Sequence, residues 1–295
     1  MSQTATNIPG AYYDGMRGFR LFRLAFGASQ RLWPALAVRA AVRVFCSPLP
    51  PKWLNRRHAW DAGWESERWP FEDASVTLHT RAFTGPGPVA LLAHGWGGHA
   101  AQMLPLALAL ERQGVQPVLV DLPAHGRSAG VTSNLPQFAR ALEYVVHRLA
   151  QQERPVRLLV AHSLGATAAA YAAARGVPAE RLVLLAPAAS PRAYTRYFAH
   201  MFGLSERTRA AMQQRVEARE GVLMTQFEPQ AVGGRVQLLT LLVHDREDRV
   251  NRFADSEAFA GAIGGARLLA TQGLGHRKIL KDAQVIEEVL RFAAA

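Results

Sequence analysis

From about residue 89 onward, short apolar runs alternate with longer stretches of helical periodicity. The runs Val89 to Ala93, Pro117 to Asp121, Val156 to Ala161, Leu182 to Ala186, Val236 to Val243 and Ala266 to Ala270 lack the polar alternation of a half-solvated strand. They read instead as strands buried on both faces. Helical spacing is read at about 100–113, 135–151, 164–175, 252–263 and 282–294. Strand and helix in alternation predict a parallel sheet covered by helices on both faces. Right-handed crossovers then bring the strand C-termini to one edge, where ligands bind in such sheets.

Two stretches break the rhythm. Between Pro187 and Arg235 no strand is read; Tyr194, Tyr197, Phe198, Met201 and Phe202 recur at helical spacing, and a mixed-charge helix follows from about Ser205 to Glu220. An insertion over about 188–235 is expected to stand over the active edge as a lid, the alternative being a long crossover packed on the flank. At the other end, residues 16–46 read as one or two helices, with Pro34 suited to a first helical turn and Ser47-Pro48-Leu49-Pro50-Pro51 ending the run. Phe19, Phe22 and Phe26 share one side, Arg17, Arg20 and Arg31 lie broadly opposite, and Trp33, Leu36, Ala40 and Val44 suggest a second apolar stripe. Ala74 to Phe83 alternates as a strand, and Gly85-Pro86-Gly87-Pro88 makes a turn. Residues 1–70 are thus expected to be a basic helical extension and linker, and 71–295 the α/β domain.

Charge sharpens the view of the extension. Residues 1–60 hold nine Arg and Lys against Asp14 alone, so most of the net +11 of this 295-residue chain lies there. A basic amphipathic helix can lie on an anionic membrane or pack on the protein with its arginines solvated. Nucleic acid is not expected as a partner, because in a chain rich in Ala, Arg and Gly and nearly without Lys the high pI is a weak pointer to one. Cys46 is the one cysteine, which excludes an intramolecular disulfide. The first fifteen residues lack a basic-then-apolar secretory start, and arginines interrupt every apolar run that approaches a membrane span. A cytoplasmic protein is expected, with peripheral contact at the inner face of the membrane as the alternative the basic helices raise.

The candidate chemistry centres on Ser163, at the joint between the strand Val156 to Ala161 and an Ala-rich helix ending at Gly176. A side chain on so sharp a turn is exposed above the helix N-terminus, and its neighbours two positions away must be small, as Ala161 and Gly165 are. A serine hydroxyl needs a base, and the base an orienting carboxylate. Asp245, Glu247 and Asp248 follow the run Leu241-Leu242-Val243, and His276 follows Leu268-Leu269-Ala270 closely. No His-Glu-x-x-His or paired-Cys spacing, P-loop or dinucleotide fingerprint occurs, so neither a metal nor a cofactor is expected.

The order Ser163, Asp248, His276 resembles that of the α/β-hydrolase superfamily, and further motifs over about residues 75–295 extend the resemblance. His94-Gly95-Trp96-Gly97-Gly98 is similar to the family's oxyanion loop. Asp121-Leu122-Pro123-Ala124-His125-Gly126-Arg127-Ser128 is similar to its Asp-x-x-Gly-His-Gly-x-Ser segment, with Ala for one Gly. The resemblance implies Ser163 as nucleophile, His276 as general base and later acid, and Asp248 as its partner, the step to Val250 favouring Asp248 over its neighbours. It implies the backbone N–H groups of Trp96 and Leu164 as oxyanion donors, with His94, Gly95, His162, Tyr194 and Phe198 as candidate substrate contacts. The expected reaction is hydrolysis of an ester or related acyl bond with an apolar acyl or alcohol group. An acyltransferase or C–C bond hydrolase would use the same residues, and a non-catalytic or membrane-surface ligand-binding protein would keep the fold alone.

Overall fold

A computed structural model describes residues 19–52, 60–81 and 89–295, without the side chains of Phe19, Arg20 and Phe22. Two N-terminal helices, α1 (Phe19–Leu32) and α2 (Pro34–Phe45), precede a hairpin of β1 (Trp64–Phe71) and β2 (Ala74–Arg81). Then follow β3 (Val89–Ala93), α3 (Leu104–Arg112), β4 (Gln116–Asp121), α4 (Leu135–Gln151), β5 (Val156–His162), α5 (Leu164–Ala174) and β6 (Arg181–Leu185). An insertion holds α6 (Pro191–Phe202) and α7 (Glu206–Glu220). The chain ends with β7 (Leu239–Asp245), α8 (Phe253–Ala262), β8 (Arg267–Thr271) and α9 (Ala283–Ala294). The expected turn at 85–88, and the Arg17, Arg20, Phe19 and Phe22 side chains of the expected N-terminal faces, lie outside the described residues.

The strands form one sheet of eight in the order β1-β2-β4-β3-β5-β6-β7-β8. β3 to β8 pair in parallel, whereas β2 runs antiparallel to both β1 and β4. Successive residues of a strand point to opposite faces. On one face Val89, Leu91 and Ala93 pack among Phe138 and Leu142 of α4, Ala166 and Ala169 of α5 and Phe259 of α8. On the other, Ala90 and Leu92 pack among Leu106 and Leu110 of α3 and Val285 and Val289 of α9. Each leucine so enclosed contributes about 1.5–3 kcal/mol relative to exposure.

β1 falls within the stretch expected as linker. Its Glu65, Ser66, Glu67 and Arg68 are exposed and only Trp69 and Phe71 are buried, so no apolar run announces it. Charges of this kind suit an edge strand, which gains its order from backbone pairing and blocks further pairing beyond itself.

A third apolar cluster joins the N-terminal helices to the insertion. Phe26, Ala37, Ala41, Val42 and Cys46 are buried with Phe198, Phe202, Met212, Val216 and Met224. The inner face of α2 is therefore set by Ala37 and Ala41, one position round from the expected stripe, and Trp33 and Leu36 point outward at 61% and 58% exposure. Polar ties fix the arrangement: Gln30 donates to the Gly203 carbonyl at 3.0 Å, Ser205 N–H donates to Gln30 Oε1 at 2.7 Å, and Ser133 N–H donates to the Cys46 carbonyl at 2.8 Å. Among the described residues no helix is long and apolar enough to cross a membrane.

Candidate active site

β5 ends at His162 and α5 begins at Leu164, leaving Ser163 alone to make the turn, at φ 56° and ψ −125°. That backbone conformation costs of order 1–3 kcal/mol in a non-glycine residue and persists because its surroundings hold it. Ser163 N–H donates to the Leu185 carbonyl of β6 at 2.8 Å. A Cβ at Gly165 would lie 2.3 Å from the His94 carbonyl oxygen, and one at Gly95 2.6 Å from Ser163 Cβ. Both glycines are there because the chain passes too close for any side chain. Ala161, where the usual pattern has glycine, is fully buried.

The loops after β7 and β8 bring two more side chains to this turn. Ser163 Oγ lies 3.0 Å from His276 Nε2, and His276 Nδ1 lies 2.7 Å from Asp248 Oδ2. Because a carboxylate only accepts, the proton of neutral His276 sits on Nδ1 and leaves Nε2 open to the serine hydroxyl. The Asp248 side chain is inaccessible to solvent. Its Oδ1 accepts from Val250 N–H at 2.7 Å and Asn251 N–H at 3.1 Å, and its Oδ2 lies 3.2 Å from His244 Nε2. Burial alone would raise its pKa, but the hydrogen bonds from His244 and His276 outweigh it and hold the carboxyl well below the usual range.

Asp245, an alternative acid by sequence, is committed elsewhere. Its Oδ2 accepts from Thr271 at 2.8 Å and from Leu274 N–H at 3.0 Å, which pins the loop that leads to His276. Glu247 is exposed. His244 was not singled out for the site, yet it braces Asp248, with its other nitrogen 2.7 Å from Ser256 Oγ. Its place four residues before Asp248 is the signal that would have found it.

The expected oxyanion donors border the same space. Leu164 opens α5, so its N–H has no intrahelical acceptor. Trp96 belongs to the loop after β3, which two histidines brace from beneath. His125 accepts from Gly97 N–H at 3.0 Å and donates from Nδ1 to the Pro123 carbonyl at 2.8 Å. His94 accepts from Leu122 N–H at 3.1 Å and donates to the Gly95 carbonyl at 2.7 Å. Burial pushes His125 down to about 3 and His94 to about 4, so both stay neutral. This corrects the expectation of His94 as a substrate contact: it is fully buried, and both ring nitrogens are used by backbone. Beneath the same loop, Asp121 accepts from Ala100 N–H at 2.7 Å and Arg127 N–H at 2.8 Å, and its carboxylate fills the space where Gly126 has no Cβ. Ala124, in place of the family's glycine, takes the left-handed φ of 64° that the turn requires.

A cavity of about 440 Å³ opens over Ser163, within the range of about 300–1,000 Å³ usual for small-ligand sites. Gly95, His162, Tyr194 and Phe198 line it, together with Trp96, Leu164 and His276. Tyr194 donates its hydroxyl to Asn251, and burial pushes that phenol's pKa up. His162 donates from Nε2 to the His276 carbonyl at 2.9 Å, and burial, then the nearby His276, drives its pKa well down. One wall was not foreseen: Val44, Phe45, Leu49 and Pro50 come from α2 and the turn that follows it. Among the described residues, no group of three or more His, Cys, Asp or Glu side chains is arranged to hold a metal ion.

Residues 90–288 match the model of the alpha/beta hydrolase family. The chain belongs to the alpha/beta hydrolase family. Within it, the chain is 38% identical over 108 residues to a pimeloyl-[acyl-carrier protein] methyl ester esterase of Xanthomonas campestris pv. campestris, a match covering 37% of this chain and 39% of that protein. A solved hydrolase of Pseudomonas aeruginosa superposes with a TM-score of 0.61 at 23% identity, covering 80% of this chain and 100% of that one. Est1E from Butyrivibrio proteoclasticus superposes with a TM-score of 0.62 at 18% identity, covering 78% and 97%. At these identities the two structures establish the shared fold.

Proposed function

We propose that this hydrolase cleaves an ester or related acyl bond through a Ser163 acyl-enzyme. The observation that carries the reading is the unbroken hydrogen-bond chain from Ser163 through His276 to Asp248, at 3.0 and 2.7 Å, on the wall of an apolar cavity. His276 Nε2 takes the hydroxyl proton as Ser163 Oγ bonds to the substrate's carbonyl carbon. The negative charge that develops on the carbonyl oxygen is met by the N–H groups of Trp96 and Leu164, each such donor being worth about 3 kcal/mol in the transition state. Collapse breaks the bond to the leaving alcohol, which departs with the proton from His276. A water then attacks the acyl carbon and gives its proton to His276, which passes it to Ser163 Oγ as the acyl–oxygen bond breaks, releasing the acid and the free serine.

The lining of Phe45, Leu49, Phe198, Met201 and Met224 favours an apolar acyl or alcohol group. The relatives named as pimeloyl-[acyl-carrier protein] methyl ester esterases agree with ester chemistry on an acyl chain. Helices α6 and α7 serve as the lid of the site, and the end of α2 with the turn after it completes the wall. A fluorophosphonate probe is expected to label the full chain and to leave Ser163→Ala unlabelled. A correctly folded wild-type protein that takes up no label, and turns over no nitrophenyl ester from acetate to palmitate, overturns the reading.

A further inference from the structure

The outer side of α1 and α2 is apolar where solvent should favour polar groups. Leu21, Leu24, Leu32, Trp33 and Leu36 are 71%, 72%, 64%, 61% and 58% exposed, and among the described residues only Val131, Leu223 and Leu239 are comparable. Clustering of this kind marks an interaction surface, whereas single exposed leucines are ordinary. Arg31, Arg39 and Arg43 are exposed on the same two helices and form no ion pair among the described residues. No Asp or Glu occurs between Phe19 and Lys52. The inner side of the two helices is already packed through Phe26, Ala37 and Ala41, so the outer side is a second, separate face.

We propose that this face docks the protein on a bilayer containing anionic lipid, and that the substrate is an ester amphiphile taken from that bilayer. The second clause rests on the hydrolase reading above; the first does not. The combination of groups selects the partner. An acidic protein surface would answer the arginines but leave large leucines and a tryptophan without a hydrocarbon phase. A second copy of this chain would bury the apolar groups while setting like charges against one another. An anionic bilayer satisfies both, with apolar side chains entering the acyl boundary and guanidinium groups at the phosphates. Helix α2 joins the two halves of the proposal: Trp33 and Leu36 face outward at its start, while Val44 and Phe45 line the cavity at its end.

The test is sedimentation of the full chain with vesicles of phosphatidylcholine alone or mixed with phosphatidylglycerol, beside turnover of a water-soluble short-chain nitrophenyl ester. Binding is expected to the mixed vesicles and to fall with salt. The combined Arg31→Gln, Arg39→Gln, Arg43→Gln variant is expected to bind on the order of 100-fold more weakly. The combined Leu24→Ser, Leu32→Ser, Trp33→Ser variant is expected to lose at least as much. Both should keep soluble-ester turnover, which shows that they are folded, and both should lose hydrolysis of a long-chain ester presented in vesicles. Absent binding, equal binding to neutral vesicles, or variants that bind like wild type overturn the docking, as does a solution dimer that only the leucine and tryptophan changes dissociate. Vesicle binding without turnover of any ester overturns the hydrolase reading and leaves the docking standing.

Discussion

Replacing Asp248 by asparagine changes no volume, so the cavity survives and only the pattern of donors and acceptors is altered. Two backbone N–H groups, from Val250 and Asn251, point at Oδ1. The amide oxygen of the variant must therefore stay there, since the reverse orientation would set NH₂ against both. That leaves NH₂ where Oδ2 faced His276 Nδ1 at 2.7 Å and His244 Nε2 at 3.2 Å. His276 answers by accepting at Nδ1 and carrying its proton on Nε2, the nitrogen 3.0 Å from Ser163 Oγ. In that tautomer it cannot take the hydroxyl proton. A base locked in the wrong tautomer loses roughly 10⁴ in kcat, or about 5 kcal/mol at about 1.36 kcal/mol per decade. Steady-state hydrolysis of a short nitrophenyl ester at neutral pH reads the effect, with thermal melting to confirm the fold. A folded Asp248→Asn protein that keeps more than a tenth of wild-type kcat would refute the proton path.

Other substitutions probe the supports of the site. Gly165→Ala would force a methyl to within 2.3 Å of the His94 carbonyl; a shift of β3 or α5 is required, so a loss of about 1–3 kcal/mol is expected in urea unfolding, with fluorophosphonate labelling slowed. His162→Phe removes the donor to the His276 carbonyl and leaves that group unpaired, costing about 1–3 kcal/mol; kcat should fall with KM little changed, and His162→Gln should restore part of it, whereas equal kcat in both variants speaks against a positioning role. The neutral pair His94 and His125 makes stability depend on pH. Their folded pKa values, about 4 and about 3, lie below the unfolded value, so their contribution is complete above about pH 6.5 and is lost as pH falls toward the folded values. Between pH 7.5 and 5 the urea-derived stability should drop by on the order of 2–4 kcal/mol; a flat profile would mean that the loop is not braced by neutral imidazoles.

How much of this was legible in the residues depended on where each one's partners lie. Ser163, Asp248 and His276 stand just beyond apolar runs, and parallel strands carry such ends to one edge whatever lies between them. The meeting of these three was therefore readable from order and spacing. Choosing among Asp245, Glu247 and Asp248 on residue type alone was not possible, because the choice turns on which carboxylate the β8 loop engages. His94 beside Gly95 could equally have faced a ligand or the protein, and only its backbone partners at 2.7 and 3.1 Å separate the two. The stripe on α2 was displaced by one position for a tertiary reason: Ala37 and Ala41 let α2 pack against the insertion helices, and nothing local favours them over Trp33 and Leu36. β1 was invisible because an edge strand takes its order from its neighbour's backbone.

The wall made by Phe45, Leu49 and Pro50 lies upstream of the span that matches the family. Part of the cavity wall is thereby encoded in a stretch of the polymer separate from the one that carries Ser163, Asp248 and His276. On the proposed reading, exchanging the N-terminal stretch for that of a relative would alter one wall of the cavity without touching the reacting atoms.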